Sequence, residues 1–169
     1  ITSWNGLMIS GYVDAYKSFN DDIFKNEAIE AGEFIYSSLI KRDGGLFHNH
    51  VNGKSKINGY LEDYATIIQA SLDLYEITLN QIWIERALEL SEYVLDNFSG
   101  INSKLFYFTS KDDENLISRS VEFRDNVIPS SNSIMAKNLF RLYHYFDRQE
   151  YYDIAKKMCL SVSEEFETY

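Results

Sequence analysis

Tyr75-Glu76-Ile77-Thr78-Leu79-Asn80-Gln81-Ile82-Trp83-Ile84-Glu85-Arg86-Ala87 decides the fold of this chain. A Tyr is followed eight residues later by a second aromatic, and four residues after that by an Ala. The same beat occurs at Tyr16, Phe24 and Ala28, and again at Tyr143, Tyr151 and Ala155. Leu46-Phe47 recurs as Leu105-Phe106, in register with the step from Tyr16 to Tyr75. Tyr64, Val94 and Phe98 map onto Asn132, Val162 and Phe166, in register with the step from Tyr75 to Tyr143. A repeat of this length means stacked supersecondary units.

Each unit reads as two helices. From Trp4 to Phe19, the positions Trp4, Leu7, Met8, Gly11, Ala15 and Phe19 form one stripe at helical spacing. Asn20-Asp21-Asp22 breaks the stripe and offers caps for a second helix, which carries Phe24, Ala28, Ala31, Ile35 and Leu39 and stops before Gly44-Gly45. Leu61, Tyr64, Ile68, Leu72 and Tyr75, then Trp83, Ala87, Leu90, Val94 and Phe98, repeat the pair around Asn80. Ala136, Leu139, Tyr143 and Phe146, then Tyr151, Ala155, Cys159, Val162 and Phe166, make the third. The expectation is six helices in three antiparallel hairpins. The two aromatics of the beat flank each tight turn, where their rings can close the hairpin, and the Ala permits close helix approach.

The connections between hairpins are longer. Leu46 to Ile57 alternates around Asn52-Gly53, a strong signal for a β-hairpin. Leu105 to Thr109 and Leu116 to Phe123 flank a polar turn and read as a second, longer one. Both leave the same end of the array, so function is expected at that long-loop end.

Composition narrows the choice of partner. The chain has 169 residues and a net charge of −10, against nucleic acid or an anionic membrane. No apolar run approaches the roughly 20 residues of a membrane span. One Pro suits uninterrupted helices, and the lone Cys159 excludes an internal disulfide and fits a reducing, cytoplasmic setting. Its neighbours on the helix, Ala155 and Val162, read it as buried. The chain starts on Ile and drops at once into a helical pattern, as a fragment of a longer protein would.

Four clusters carry the polar chemistry of the long-loop end: Trp4-Asn5-Gly6, Tyr60 to Tyr64, Arg124-Asp125-Asn126, and Pro129 to Ser133. The repeat register makes Asn5, Tyr64 and Asn132 equivalent, so the clusters should converge on one axis. Glu62 and Asp63 suit a helix N-terminus structurally; in the functional reading Asp63 and Asp125 are a carboxylate pair facing a polyol, as general acid/base or as hydrogen-bond acceptors, with Glu62 in the same catalytic set. Ser130, Ser131 and Ser133 are natural N-caps. Arg124 beside Asp125 is an ion pair or a hydroxyl clamp. His48 and His50 alternate on one strand face, but no third ligand stands at a telling spacing, so neither metal nor cofactor is expected. Trp4 and Tyr64 would offer ring faces, Arg124, Asn5, Ser130 and Asn132 would position hydroxyls, and His48 and His50 on the nearby ribbon complete the expected substrate-binding set.

Thr2-Ser3-Trp4-Asn5-Gly6-Leu7-Met8-Ile9, Tyr60-Leu61-Glu62-Asp63-Tyr64-Ala65 with Leu74-Tyr75-Glu76, Arg124-Asp125, and Pro129-Ser130-Ser131-Asn132-Ser133 carry a family resemblance. Together they resemble the C-terminal region of thioredoxin-domain-containing proteins of the spermatogenesis-associated type, in the right order along the whole chain. The resemblance implies an (α/α)-barrel of the six-hairpin kind, similar to N-acylglucosamine 2-epimerases and some glycosidases. Such proteins bind sugars in the barrel mouth and use His or carboxylate pairs. Three hairpins are half of such a barrel, and the thioredoxin-like domain is missing from this chain. The expectation is therefore an all-α half of an (α/α)6 barrel over residues 1–169, with two short β-hairpins in its long loops. A sugar or polyol would bind there, with sugar epimerase, isomerase or glycosidase-like activity if it is an enzyme. The competing expectation is a non-catalytic helical-repeat module, its open faces covered by self-association or by the rest of a barrel.

Overall fold

The computed structural model describes residues 1–100, 103–113 and 119–166, the side chains of the last three excepted. Its elements are α1 (Thr2–Phe19), α2 (Asp22–Ser38), β1 (Phe47–Val51), β2 (Lys54–Asn58), α3 (Leu61–Thr78), α4 (Gln81–Phe98), α5 (Ser131–Phe146) and α6 (Gln149–Phe166). The three expected helical hairpins are present.

The repeat signature has a backbone cause. Each helix α1, α3 and α5 ends on a residue with φ near +53°: Asn20, Leu79 and Asp147. The N–H of each donates to the carbonyl of the repeat Tyr, Tyr16, Tyr75 and Tyr143, always at 2.8 Å. The second aromatic then sits in the first turn of the next helix. The N–H groups of Phe24, Trp83 and Tyr151 donate to Asp21, Asn80 and Arg148 at 3.0–3.2 Å. Among the described residues the two rings of the beat do not pair; Phe24, for example, meets Tyr12 and Phe19 instead. The Ala of the beat is buried in every copy, at Ala28, Ala87 and Ala155.

The helices form two layers. Helix α3 packs between α1 and α5, while α2, α4 and α6 lie behind their hairpin partners. Contacts Ser3 to Asp63, Ser10 to Asp73 and Lys17 to Glu76 run in step, so α1 and α3 are parallel. Asn138 to Ala65 and Arg141 to Asp73 make α5 parallel to them. All three inner helices therefore begin at the long-loop end. Helix α3 is buried on nearly every side and carries the centre of the core.

Helix α1 packs differently from its apolar pattern. Its buried face is Thr2, Ser3, Gly6, Ile9, Ser10 and Val13, while Trp4, Met8 and Phe19 are exposed. Small residues win because α1 approaches α3 closely: a Cβ on Gly6 would lie 2.8 Å from the Thr66 backbone. Cys159 also differs from its expected burial. It is exposed, and Ala155 and Met158 take the inward positions of α6.

The first long connection is the expected ribbon. Strands β1 and β2 pair antiparallel with Val51 opposite Lys54, around Asn52 and Gly53 at φ 52° and 72°. The second connection carries no strand among the described residues. Phe108 N–H donates to Ser120 at 2.8 Å, but the path is irregular, stitched by Arg119 to the Thr109 and Asn97 carbonyls. Part of the expected second hairpin, residues 114–118, lies outside the described residues.

Candidate functional site

Asp63 is the hub of the long-loop end. It lies in the first turn of α3 with no exposed surface. Its Oδ1 accepts from the Ser3 N–H at 2.8 Å, and its Oδ2 accepts from the Tyr60 N–H at 2.9 Å. His48 Nδ1 stands 2.9 Å from the same Oδ2. Three strands of chain meet on one carboxylate: the start of α1, the ribbon, and the start of α3. Two of its partners are backbone donors, so an ionised Asp63 with the proton on His48 Nδ1 satisfies every group. Burial pushes the carboxyl above its ordinary range, and the bonds from His48, Tyr60 and Ser3 oppose that.

The surroundings fix the pair. The Thr2 hydroxyl bonds to the Phe47 and His48 carbonyls at 2.7 and 2.9 Å, tying β1 to α1. The His48 ring meets the Tyr60 ring edge-on at 4.9 Å, and Tyr60 stacks on Phe108 at 5.1 Å.

In front of this hub lies a cleft of about 260 Å³ between the starts of α1, α3 and α5. Its walls include Ser3, Trp4, Glu62, Thr66, Glu122 and Ser131. Glu62 is half-buried there. Burial first, then the charges of Asp63 and Glu122, raise its carboxyl above the ordinary range, while His48 pulls the other way. Glu122 faces the same space, its Oε2 accepting from the Ser131 hydroxyl at 2.8 Å. Trp4 is 67% exposed at the rim.

Of the expected site residues, the structure brings Trp4 and Glu62 to this cleft, with Asp63 and His48 behind it. Others serve the scaffold. The buried Tyr64 hydroxyl accepts from the Leu46 N–H at 2.7 Å, and its ring stacks on Tyr93. The buried Asn132 bonds to both the N–H and the carbonyl of Phe106, at 2.9 and 3.0 Å, and to the Glu122 carbonyl. Each of these register-equivalent residues thus holds one long connection, Tyr64 through Leu46 and Asn132 through Phe106 and Glu122. The Asn5 amide donates to the carbonyl of Ile1, the residue just before its own helix. Asp125 Oδ1 accepts from the Ser130 N–H and the Ser133 hydroxyl, both at 2.8 Å, which hold its carboxyl below the ordinary range. Ser130 is the N-cap of α5, and the Arg124 guanidinium lies 5.5 Å from the Phe123 ring. His50 bonds to Ser55 and meets Phe34, so the two histidines have separate partners.

Sequence reading missed Ser3 and Glu122. No motif marks either; only the three-dimensional convergence of α1, α3 and the second connection does. His48, Glu62 and Asp63 each bring one ligand-type atom within 4.8 Å of the others. The Asp63 oxygens already accept backbone N–H bonds and His48 Nδ1 is turned to Asp63, which favours an internally bonded unit over an ion.

The helical arrangement matches solved structures with an (α/α)-barrel fold. A GH76 α-mannanase of Bacteroides thetaiotaomicron matches with a TM-score of 0.78 at 17% identity, over 98% of this chain and 44% of that one. A D-mannose isomerase matches with a TM-score of 0.71 at 18% identity, over 93% of this chain and 39% of that one. By sequence, the chain is similar to spermatogenesis-associated protein 20 and to an uncharacterized nematode protein. The human protein of that name is 30% identical over 95% of this chain, and an uncharacterized Caenorhabditis elegans protein, B0495.5, is 31% identical over 99% of it. The chain spans 21% and 24% of those two relatives. No family model matches it. No helix among the described residues is long and apolar enough to cross a membrane.

Proposed function

We propose that residues 1–169 are half of an (α/α)6 barrel domain of a longer protein, and that the cleft at the starts of α1, α3 and α5 binds a sugar or polyol. The observation that carries this reading is the placement of Glu62. It faces the cleft with a raised carboxyl pKa, backed by the buried Asp63–His48 pair and flanked by the exposed Trp4 ring. A carboxyl held above its ordinary range beside a ring face suits a neutral hydroxylated ligand. Solved neighbours named as a mannanase and a mannose isomerase support the same ligand class.

In this reading Glu62 is the proton-transferring group of an isomerase, epimerase or glycosidase-like reaction, and Trp4 stacks on the sugar ring. Asp63 and His48 fix Glu62 and the ribbon. Asp125, Arg124 and Ser130 set the loop that forms the far wall. Asn5, Tyr64, Asn132 and His50 hold the frame around it. The setting is cytoplasmic, as the lone cysteine suggests, and a thioredoxin-like domain precedes the barrel in the longer chain. Calorimetric titration with a panel of mono- and disaccharides tests the binding. Saturable heat that Glu62→Gln and Trp4→Ala remove supports it; silence across the panel refutes it.

A second reading rests on the outward stripe of α1. Trp4, Met8 and Phe19 are 67%, 58% and 73% exposed on one helix, an apolar face suited to a protein surface. As a non-catalytic module the chain would self-associate, or dock the remainder of the barrel, through that stripe. A strictly monomeric chain in sedimentation, unchanged by Met8→Glu, counts against self-association.

A further inference from the structure

The charge of the cleft is one-sided. Glu62 comes from the start of α3 and Glu122 from the connection before α5, and no Lys, Arg or His is among the described residues that line it. Neither acid has a basic hydrogen-bond partner among the described residues: His48, whose charge only partly offsets the rise at Glu62, is bonded to Asp63, and Glu122 is held by the uncharged Ser131. Part of the rise in the Glu62 pKa comes from Asp63 and Glu122, so like charges already oppose one another across this space. A second, independent observation points to a ligand. Ser3 lines the same wall, and its hydroxyl, buried just behind it, has no hydrogen-bond partner among the described residues. A buried hydroxyl left without a partner costs stability unless a bound group satisfies it.

We propose that the cleft selects a polyol bearing a protonated amine, an amino sugar, over neutral and acidic sugars. This rests on the sugar-binding reading above and names its ligand class. The ammonium group sits between Glu62 and Glu122 and donates to both, relieving their repulsion. The exposed Trp4 ring adds the attraction of an aromatic face for a cation. The Ser3 hydroxyl bonds a neighbouring hydroxyl of the ligand. A uronate or a sugar phosphate would bring a further negative charge against two carboxylates and is excluded.

The test is calorimetry at neutral pH and low salt with D-glucosamine, D-glucose, D-glucuronate and ethanolamine. Glucosamine should bind at least about tenfold more tightly than glucose, and glucuronate not at all. The preference should vanish in Glu122→Gln and in the Glu62→Gln, Glu122→Gln double variant, with thermal unfolding confirming that both fold. Equal affinity for glucosamine and glucose overturns the amine preference and leaves the sugar reading standing. Ethanolamine binding as tightly as glucosamine, with no glucose binding, overturns the sugar reading while the carboxylate–ammonium contact stands. An amine preference retained in the double variant overturns the assignment to these two carboxylates, and silence with all four probes overturns both readings.

Discussion

His48 Nδ1 and Asp63 Oδ2 stand 2.9 Å apart, and this contact closes the β-ribbon onto the start of the central inner helix. Asp63 also accepts the Ser3 and Tyr60 N–H groups, so its removal strands two backbone donors. Stranded donors cost about 1–3 kcal/mol each. Asp63→Ala should therefore lower stability by about 3 kcal/mol in urea unfolding. A loss below about 0.5 kcal/mol, on the scale of a surface change, would show that the hub is not structural.

Glu62→Gln should do the opposite. The folded carboxyl has a pKa above the ordinary glutamate value of about 4.5, so the native state holds its proton more tightly than the unfolded chain does. Stability from this group is then lost as pH rises from about 4.5 through the raised folded value. The neutral variant escapes that loss. Its melting temperature should match the parent near pH 4 and exceed it at pH 7, while ligand binding falls. Equal melting temperatures at both pH values would contradict the strained setting given to Glu62.

Gly6→Ala tests the close approach of α1 and α3. The added Cβ would lie 2.8 Å from the Thr66 carbonyl carbon as well as from its Cβ and Oγ1. Backbone cannot rotate out of the way, so the helices must separate, at a cost of about 1–3 kcal/mol. Chemical denaturation measures it; a stabilised variant would mean that the helices are not this close.

Much of this frame was legible in the sequence, and the reasons are local. Asn20, Leu79 and Asp147 end their helices in the left-handed conformation four residues after each repeat Tyr, a backbone constraint that forces a fixed spacing into the sequence. Asn52-Gly53 signals its ribbon for the same kind of reason. Helix α1 departs from its apolar period because Trp4, Met8 and Phe19 of that stripe are exposed, and a face of Ser3, Gly6 and Ser10 carries no hydrophobic period. The cleft was half legible. Glu62 and Asp63 announce themselves at a helix start, but Glu122 enters only through Ser131 and the course of a long irregular connection.

Asp125→Ala separates a positioning role from a catalytic one. The carboxylate caps the start of α5 through Ser130 and Ser133. Loss of such a cap costs about 1 kcal/mol in thermal unfolding. Sugar affinity and any turnover should stay within about twofold once α5 is formed, well under the tenfold that about 1.4 kcal/mol of lost contact would produce. A collapse of turnover with folding intact would move Asp125 into the reacting set.

The central claim, a sugar in the cleft against Trp4, is read most directly by tryptophan emission. Trp4 is exposed and Trp83 is buried, so acrylamide quenching reports almost wholly on Trp4. The account predicts a saturable loss of quenching as a neutral or amino sugar is added, absent in Trp4→Phe. Quenching of Trp4 that stays unchanged at high concentrations of every sugar in the panel would contradict it.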